Sequence, residues 1–105
     1  MTRGEVVRLP APRRARGHEQ RGRRYGVVVQ AEQLLDLSTV IVAPTSTSSI
    51  GTRFRPEIVI RGTPTRVLIE QLRAVAPESL GQTETLVTHD ELRAIDRALA
   101  LVLGL

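Results

Sequence analysis

The sequence predicts a small, mainly β barrel covered by one C-terminal helix, and three observations predict it. Five short runs rich in Val, Ile and Leu recur along the chain, each bounded by Gly, Pro or polar residues, as strands require. Near the C-terminus the apolar period lengthens from the two of a strand to the three or four of a helix. The length of 105 residues suffices for one modest core, so residues 1–105 read as a single domain.

In chain order, residues 5–9 (EVVRL) form the first predicted strand, directly after Arg3-Gly4. Residues 10–23 hold two prolines, two glycines and no apolar period, which predicts a long loop. Residues 24–30 (RYGVVVQ) and 38–44 (STVIVAP) predict two apolar strands, with a turn of helix over 31–37 between them. The polar run at 45–49 reads as a loop. Residues 56–60 (PEIVI) and 65–72 (TRVLIEQL) predict two further strands, joined by a Gly62-Thr63-Pro64 turn. A short element is expected near 77–80, before Gly81. Thr88 and Glu91 have the spacing of a capping box, in which each side chain accepts the other residue's free amide. Behind them Leu92, Ile95, Leu99, Val102 and Leu103 recur at helical spacing, with Arg93, Asp96 and Arg97 on the other side and Gly104 as the stop.

All fifteen basic residues are Arg, the net charge is +4, and six of the fifteen fall between Arg13 and Arg24. Guanidinium is planar, stays protonated and fits phosphate or carboxylate with two parallel hydrogen bonds. So local a cluster suits a polyanion or an acidic protein partner, although a solvated basic loop has the same composition. Aromatics are 2% (Tyr25 and Phe54), so nucleic-acid binding would rest on charge and hydrogen bonds rather than on stacking. The absence of cysteine excludes a disulfide scaffold, a thiolate metal site and a Cys nucleophile. The N-terminus lacks the apolar stretch of a signal peptide and no run is long enough to span a membrane, so a cytoplasmic protein is expected.

Most catalytic motifs are absent. There is no P-loop, no Rossmann glycine pattern and no Gly-x-Ser-x-Gly elbow. His18 and His89 lack metal-ligand spacing, His89 reads as a surface residue, and neither metal nor cofactor is expected. What remains is Gly17-His18-Glu19-Gln20, Arg24 opening a strand, and Ser46 and Thr47 following another. This set suits phosphodiester cleavage without a metal. Cutting RNA through its own 2′-hydroxyl needs an acceptor for that proton, a proton for the leaving 5′-oxygen, and positive charge on the phosphorane-like transition state. Arg24 offers the charge, and Ser46 or Thr47 a hydroxyl for a non-bridging oxygen. The same residues also read as a strand-edge charge and as loop hydroxyls bonding their own backbone. Glu70 and Arg73 likewise read as a structural ion pair.

Four segments resemble the MazF/PemK toxins. Arg3-Gly4-Glu5-Val6 resembles their "RGEVW" opening. Gly17-His18-Glu19-Gln20, with Arg23-Arg24 and Val27-Val28-Val29, is similar to their "GxEQ…RPxVV" signature. Residues 39–44 with Ser46-Thr47 resemble their "VxVxPxTS" strand and loop, and residues 70–75 (EQLRAV) resemble "DQIRxV". The capped final helix is also similar, and the segments follow in the family's order over nearly the whole chain.

The resemblance implies an SH3-like barrel of the CcdB/Kid/MazF type that works as a homodimer. It implies sequence-selective, metal-independent cleavage of single-stranded RNA and neutralisation by a cognate MazE-like antitoxin. It assigns the catalytic Arg to Arg24 and the catalytic hydroxyl to Ser46, two residues after Pro44, with Thr47 one step further. His18, Glu19, Gln20 and Arg23 are then substrate contacts from the long loop. Gln71 and Arg73 are contacts from the 65–72 strand and its end, where Glu70 also lies. The chain departs from the pattern at Val7, where the family has an aromatic, at Pro10, where it has an acidic residue, and at Tyr25-Gly26, where a proline follows the catalytic Arg. Two other readings use the same barrel: a non-catalytic, gyrase-poison-like toxin acting through its C-terminal helix, and an inactive homologue that only binds antitoxin.

Overall fold

A computed structural model describes residues 1–10 and 24–105. Residues 11–23 lie outside the described residues, and with them His18, Glu19, Gln20, Arg23 and the arginines at 13, 14, 16 and 21.

The chain folds as a mainly β barrel-like sheet with a C-terminal helix. β1 (Glu5–Leu9) pairs antiparallel with β2 (Arg24–Val28) on one edge and with β7 (Thr83–Leu86) on the other. β3 (Val40–Ser46) is the long central strand. One edge holds β2; the other is divided, with Val40–Val42 against β6 (Arg73–Val75) and Thr45–Ser46 against β5 (Thr63–Val67). β4 (Glu57–Ile60) completes the order β4-β5-β3-β2-β1-β7.

Both faces of the β1-β2-β3 sheet are buried, which explains runs such as Val6-Val7 and Val27-Val28-Val29 that do not alternate with polar residues. Val6, Val27 and Ala43 pack with Ile58, Ile60, Val67, Ile69 and the helix residues Ile95 and Ala98. Val7, Leu9, Val28, Val40 and Val42 form a second cluster under Leu35, Val75 and Leu80.

Several expected boundaries move. β2 stops at Val28, and the buried Gln30 takes over: its Oε1 accepts Ile41 N and its Nε2 donates to the Leu34 carbonyl. The turn of helix over 31–37 is a single 3-10 turn, Glu32–Leu34. β3 runs on through Thr45 and Ser46 into the predicted loop. Residues 65–72 are not one strand. Val67, Leu68 and Ile69 are all buried, but β5 ends at Val67 and the chain turns into a 3-10 segment at Ile69–Gln71. A 3-10 turn, Pro77–Ser79, occupies the short element expected before Gly81. β6 and β7 were not expected: one has three residues, and the other (TETL) has the composition of an exposed edge.

The β4–β5 turn is Arg61-Gly62, with Thr63 and Pro64 already in β5. Both turn residues have positive φ, 51° and 81°, as a two-residue type I′ hairpin requires. Asn-Gly is the favoured pair there, and for most residues with a Cβ this region costs about 1–2 kcal/mol. Ile60 and Thr63 flank the loop, so the next pair, Val59 and Pro64, points its backbone polar groups away from its partner. Pro64 therefore forfeits no ladder bond with β4.

α1 (His89–Leu103) begins with the predicted capping box: Thr88 Oγ1 accepts Glu91 N, and Glu91 Oε1 accepts Thr88 N. It ends at Gly104 in the left-handed region. The apolar stripe is shorter than predicted. Ile95 and Ala98 are fully buried, whereas Val102 and Leu103 are 37% and 54% exposed. No helix among the described residues is long and apolar enough to cross a membrane.

Candidate functional site

β2, β3, β5 and the β4–β5 turn lie side by side and line a cleft of about 230 Å³. β2 supplies Arg24 and Tyr25, and β3 supplies Thr45 and Ser46, with Thr47 just beyond. The hairpin supplies Ile60, Arg61, Thr63 and Thr65. Residues marked by two separate sequence motifs, Arg24 from one and Ser46 and Thr47 from the other, thus meet in one cleft. The β2–β3 register explains the meeting. Gly26 pairs with Pro44, and Arg24 and Ser46 each lie two residues beyond that pair on their strands. A hydrogen bond from Thr45 Oγ1 to the Tyr25 carbonyl (3.0 Å) ties the strands between these points.

Ser46 has one of its hydrogen-bonding positions filled. Its Oγ accepts Ser48 N at 3.2 Å, which shapes the following loop, and lies 3.4 Å from Ser48 Oγ. A hydroxyl that accepts from the backbone keeps its own proton to donate. The loop-shaping reading of Ser46 and a substrate-facing one are therefore compatible. On the other side of β3, Ser46 pairs with Arg66, whose Nη1 donates to the Arg55 carbonyl at 3.2 Å. Gly51 lies against that guanidinium so closely that a Cβ would sit 2.6 Å from Cζ.

Gln71 and Arg73 do not line the cleft. Gln71 is in the 3-10 turn, and Arg73 opens β6 opposite Val42. Glu70 pairs with Arg55 rather than with Arg73: Arg55 Nε and Nη2 donate to its Oε2 at 3.0 and 2.6 Å. The hydrogen bond from Arg55 holds the Glu70 carboxyl below its ordinary range, against the opposing cost of desolvation.

No carboxylate or imidazole lines the cleft among the described residues. Arg24, Arg61 and the hydroxyls of Thr45, Ser46, Thr47, Thr63 and Thr65 make the lining cationic and polar. Arg61 reaches across to β7, where its Nε lies 3.2 Å from Glu84 Oε2. The sequence reading missed Arg61, Thr63 and Thr65. The available signal was the Arg-Gly pair at a tight turn, where Asn-Gly is the pattern that suits the backbone. Among the described residues no group of three or more His, Asp or Glu side chains is arranged to hold a metal ion.

Fold and cleft together define a small-barrel protein with a cationic, hydroxyl-lined surface cleft, and the same barrel recurs in solved structures. An endoribonuclease in complex with its cognate antitoxin, from a mycobacterial species, matches with a TM-score of 0.80 over 100% of this chain and 96% of that one, at 18% identity. MazF from Deinococcus radiodurans matches with a TM-score of 0.77 over 100% and 97%, at 23% identity. At such identities the likeness is one of fold. Sequence supplies the rest: the profile of the PemK-like, MazF-like toxins of type II toxin–antitoxin systems matches residues 2–103. A candidate toxin of Mycobacterium tuberculosis (strain H37Rv) is 40% identical over 104 residues, 98% of this chain and 97% of that protein. The chain belongs to the PemK/MazF toxin family.

Proposed function

We propose that the protein is an endoribonuclease that cleaves single-stranded RNA in this cleft without a metal ion. The observation that carries the reading is the convergence of Arg24, Ser46 and Thr47 on one cleft, where a hydrogen bond from Thr45 Oγ1 to the Tyr25 carbonyl ties their two strands together. The 2′-oxygen gives up its proton and attacks the adjacent phosphorus, the bond to the 5′-oxygen breaks as that oxygen takes a proton from water, and a 2′,3′-cyclic phosphate and a 5′-hydroxyl result. Arg24 sets two donors against the doubly charged phosphorane-like state. Ser46 accepts from Ser48 N and donates its own proton to a non-bridging oxygen, with Thr47 beside it. Among the described residues the cleft lining holds no carboxylate or imidazole; His18 and Glu19, which the motif resemblance assigns to substrate contact together with Gln20 and Arg23, carry side-chain types able to accept the 2′ proton.

The working form is a homodimer, in which a chain this small gains buried surface by pairing. A cognate antitoxin, acidic and extended, covers the arginine-rich 13–24 stretch and competes with RNA. The solved mycobacterial neighbour in complex with its own antitoxin supports this partner.

The test is incubation with long RNA in EDTA beside an Arg24→Ala control. Fragments ending in cyclic phosphate, from the parent alone, are expected. No cleavage by the parent, or equal cleavage by the variant, overturns the reading.

A further inference from the structure

The turn between β4 and β5 holds an arginine where the backbone favours Asn. Arg61 sits at φ 51°, next to Gly62 at φ 81°. Its side chain does not trail into solvent. It lines the cleft, and its Nε is held 3.2 Å from Glu84 Oε2 on β7. Glu84 is only 10% exposed and also lies 3.5 Å from Arg8 Nε on β1. Two guanidiniums thus share one carboxylate, which leaves one positive charge uncompensated. The Arg61 side chain is 61% exposed, so the rest of its donor edge faces outward.

Arg24 and Arg61 both line the cleft, one from the start of β2 and the other from the β4–β5 turn. Arg24 pairs with no carboxylate among the described residues, whereas Arg61 is drawn toward β7 by Glu84, so the two guanidiniums are oriented by different surroundings. We infer that Arg61, positioned by Glu84, forms with Thr63 a second phosphate subsite, which binds a backbone phosphate of the RNA away from the scissile one. The inference rests on the RNase reading and names how the same cleft grips its substrate. A subsite of this kind makes the enzyme prefer oligonucleotides over a dinucleotide, since the shortest substrate has no second phosphate to place there.

The test uses Arg61→Asn, which removes the guanidinium and suits the turn better than Arg, so the fold is retained. Binding is measured with an RNA made uncleavable by 2′-deoxy substitution at the cut site, across a salt series. The variant is expected to bind roughly tenfold more weakly, and its slope of log K against log salt to be shallower by about 0.7, the value for one lost phosphate contact on a single strand. Its kcat at saturating RNA stays near the parent's, its KM rises, and the parent's preference for long substrates over a dinucleotide shrinks. Arg61→Lys is expected to restore the salt slope. A parent that cleaves RNA while Arg61→Asn keeps its affinity and salt slope overturns the subsite and leaves the RNase reading intact. A parent that binds the uncleavable RNA with an Arg61-dependent slope but cuts no RNA does the reverse. A parent that binds no RNA overturns both.

Discussion

The carboxylate of Glu91 joins α1 to Val59 on the edge strand β4: Oε2 accepts Val59 N at 2.8 Å while Oε1 accepts Thr88 N at 2.7 Å. Val59 N points outward because its pair with Pro64 lies one step from the two-residue turn. One side chain therefore caps the helix and occupies an otherwise open sheet edge.

Both partners of Glu91 are donors, so glutamine, with one carbonyl oxygen, satisfies only one of them. Glu91→Ala is expected to lower stability by about 1–3 kcal/mol, with Glu91→Gln between it and the parent. In a domain of this size each kcal/mol moves Tm by about 4–8 °C. Urea unfolding checks the order; a Gln variant as stable as the parent would mean the second bond contributes nothing.

Gly26 follows the cleft residue Tyr25 and faces Leu9. A Cβ there would lie 3.0–3.1 Å from three atoms of the Leu9 side chain, which is itself buried. Gly26→Ala should cost about 1–3 kcal/mol through overpacking. Combined with Leu9→Ala it should cost less than the sum of the two single changes. Strict additivity in the double-mutant cycle would assign the loss to something other than this contact.

The Arg55–Glu70 pair makes part of the acid stability predictable in sign. The folded-state Glu70 carboxyl titrates below its unfolded value, so its contribution is complete above about pH 4.3 and disappears as pH falls through the folded value. Glu70→Gln should flatten the stability profile below that point and leave its shape above unchanged. Chemical unfolding between pH 7 and pH 3 measures it, and parallel profiles would show that the pair does not couple to folding.

Within the proposed site, Ser46→Ala should slow RNA cleavage by about a hundredfold, the scale of one lost transition-state donor, and more than Thr47→Ala. The reverse order would move the working hydroxyl one residue along. Ser46→Thr retains an acceptor for Ser48 N and a proton to donate, and should keep most of the activity.

How much of this could be read from the chain depended on the range of the interactions. The α1 capping box and the strand at 5–9 are local patterns, and the structure has both. Arg24, Ser46 and Thr47 were found by motif, and their meeting depends on a β2–β3 register that the motifs do not contain. Strand Thr83–Leu86 escaped because its pairing with β1 spans most of the chain and its residues are polar. The 65–72 segment misled because an unbroken apolar run fits a doubly buried strand as well as a strand that ends in a buried 3-10 turn. Glu70 found Arg55 rather than Arg73 because that turn swings its side chain toward the 50–55 loop.

The pairing of Glu5 with Leu86 sets the order of events at birth. β1 lies between β2 and β7, so the barrel cannot close until the chain has been made as far as Leu86. A ribosome adding about 5–20 residues per second takes roughly 4–16 s to go from the first of these residues to the second. Through that interval β1 has an unfilled edge, and Arg61 has no Glu84 to hold it. The contacts among β1, β2 and β3 can therefore form early in synthesis, whereas the closing strand and the carboxylate that orients Arg61 arrive together and late.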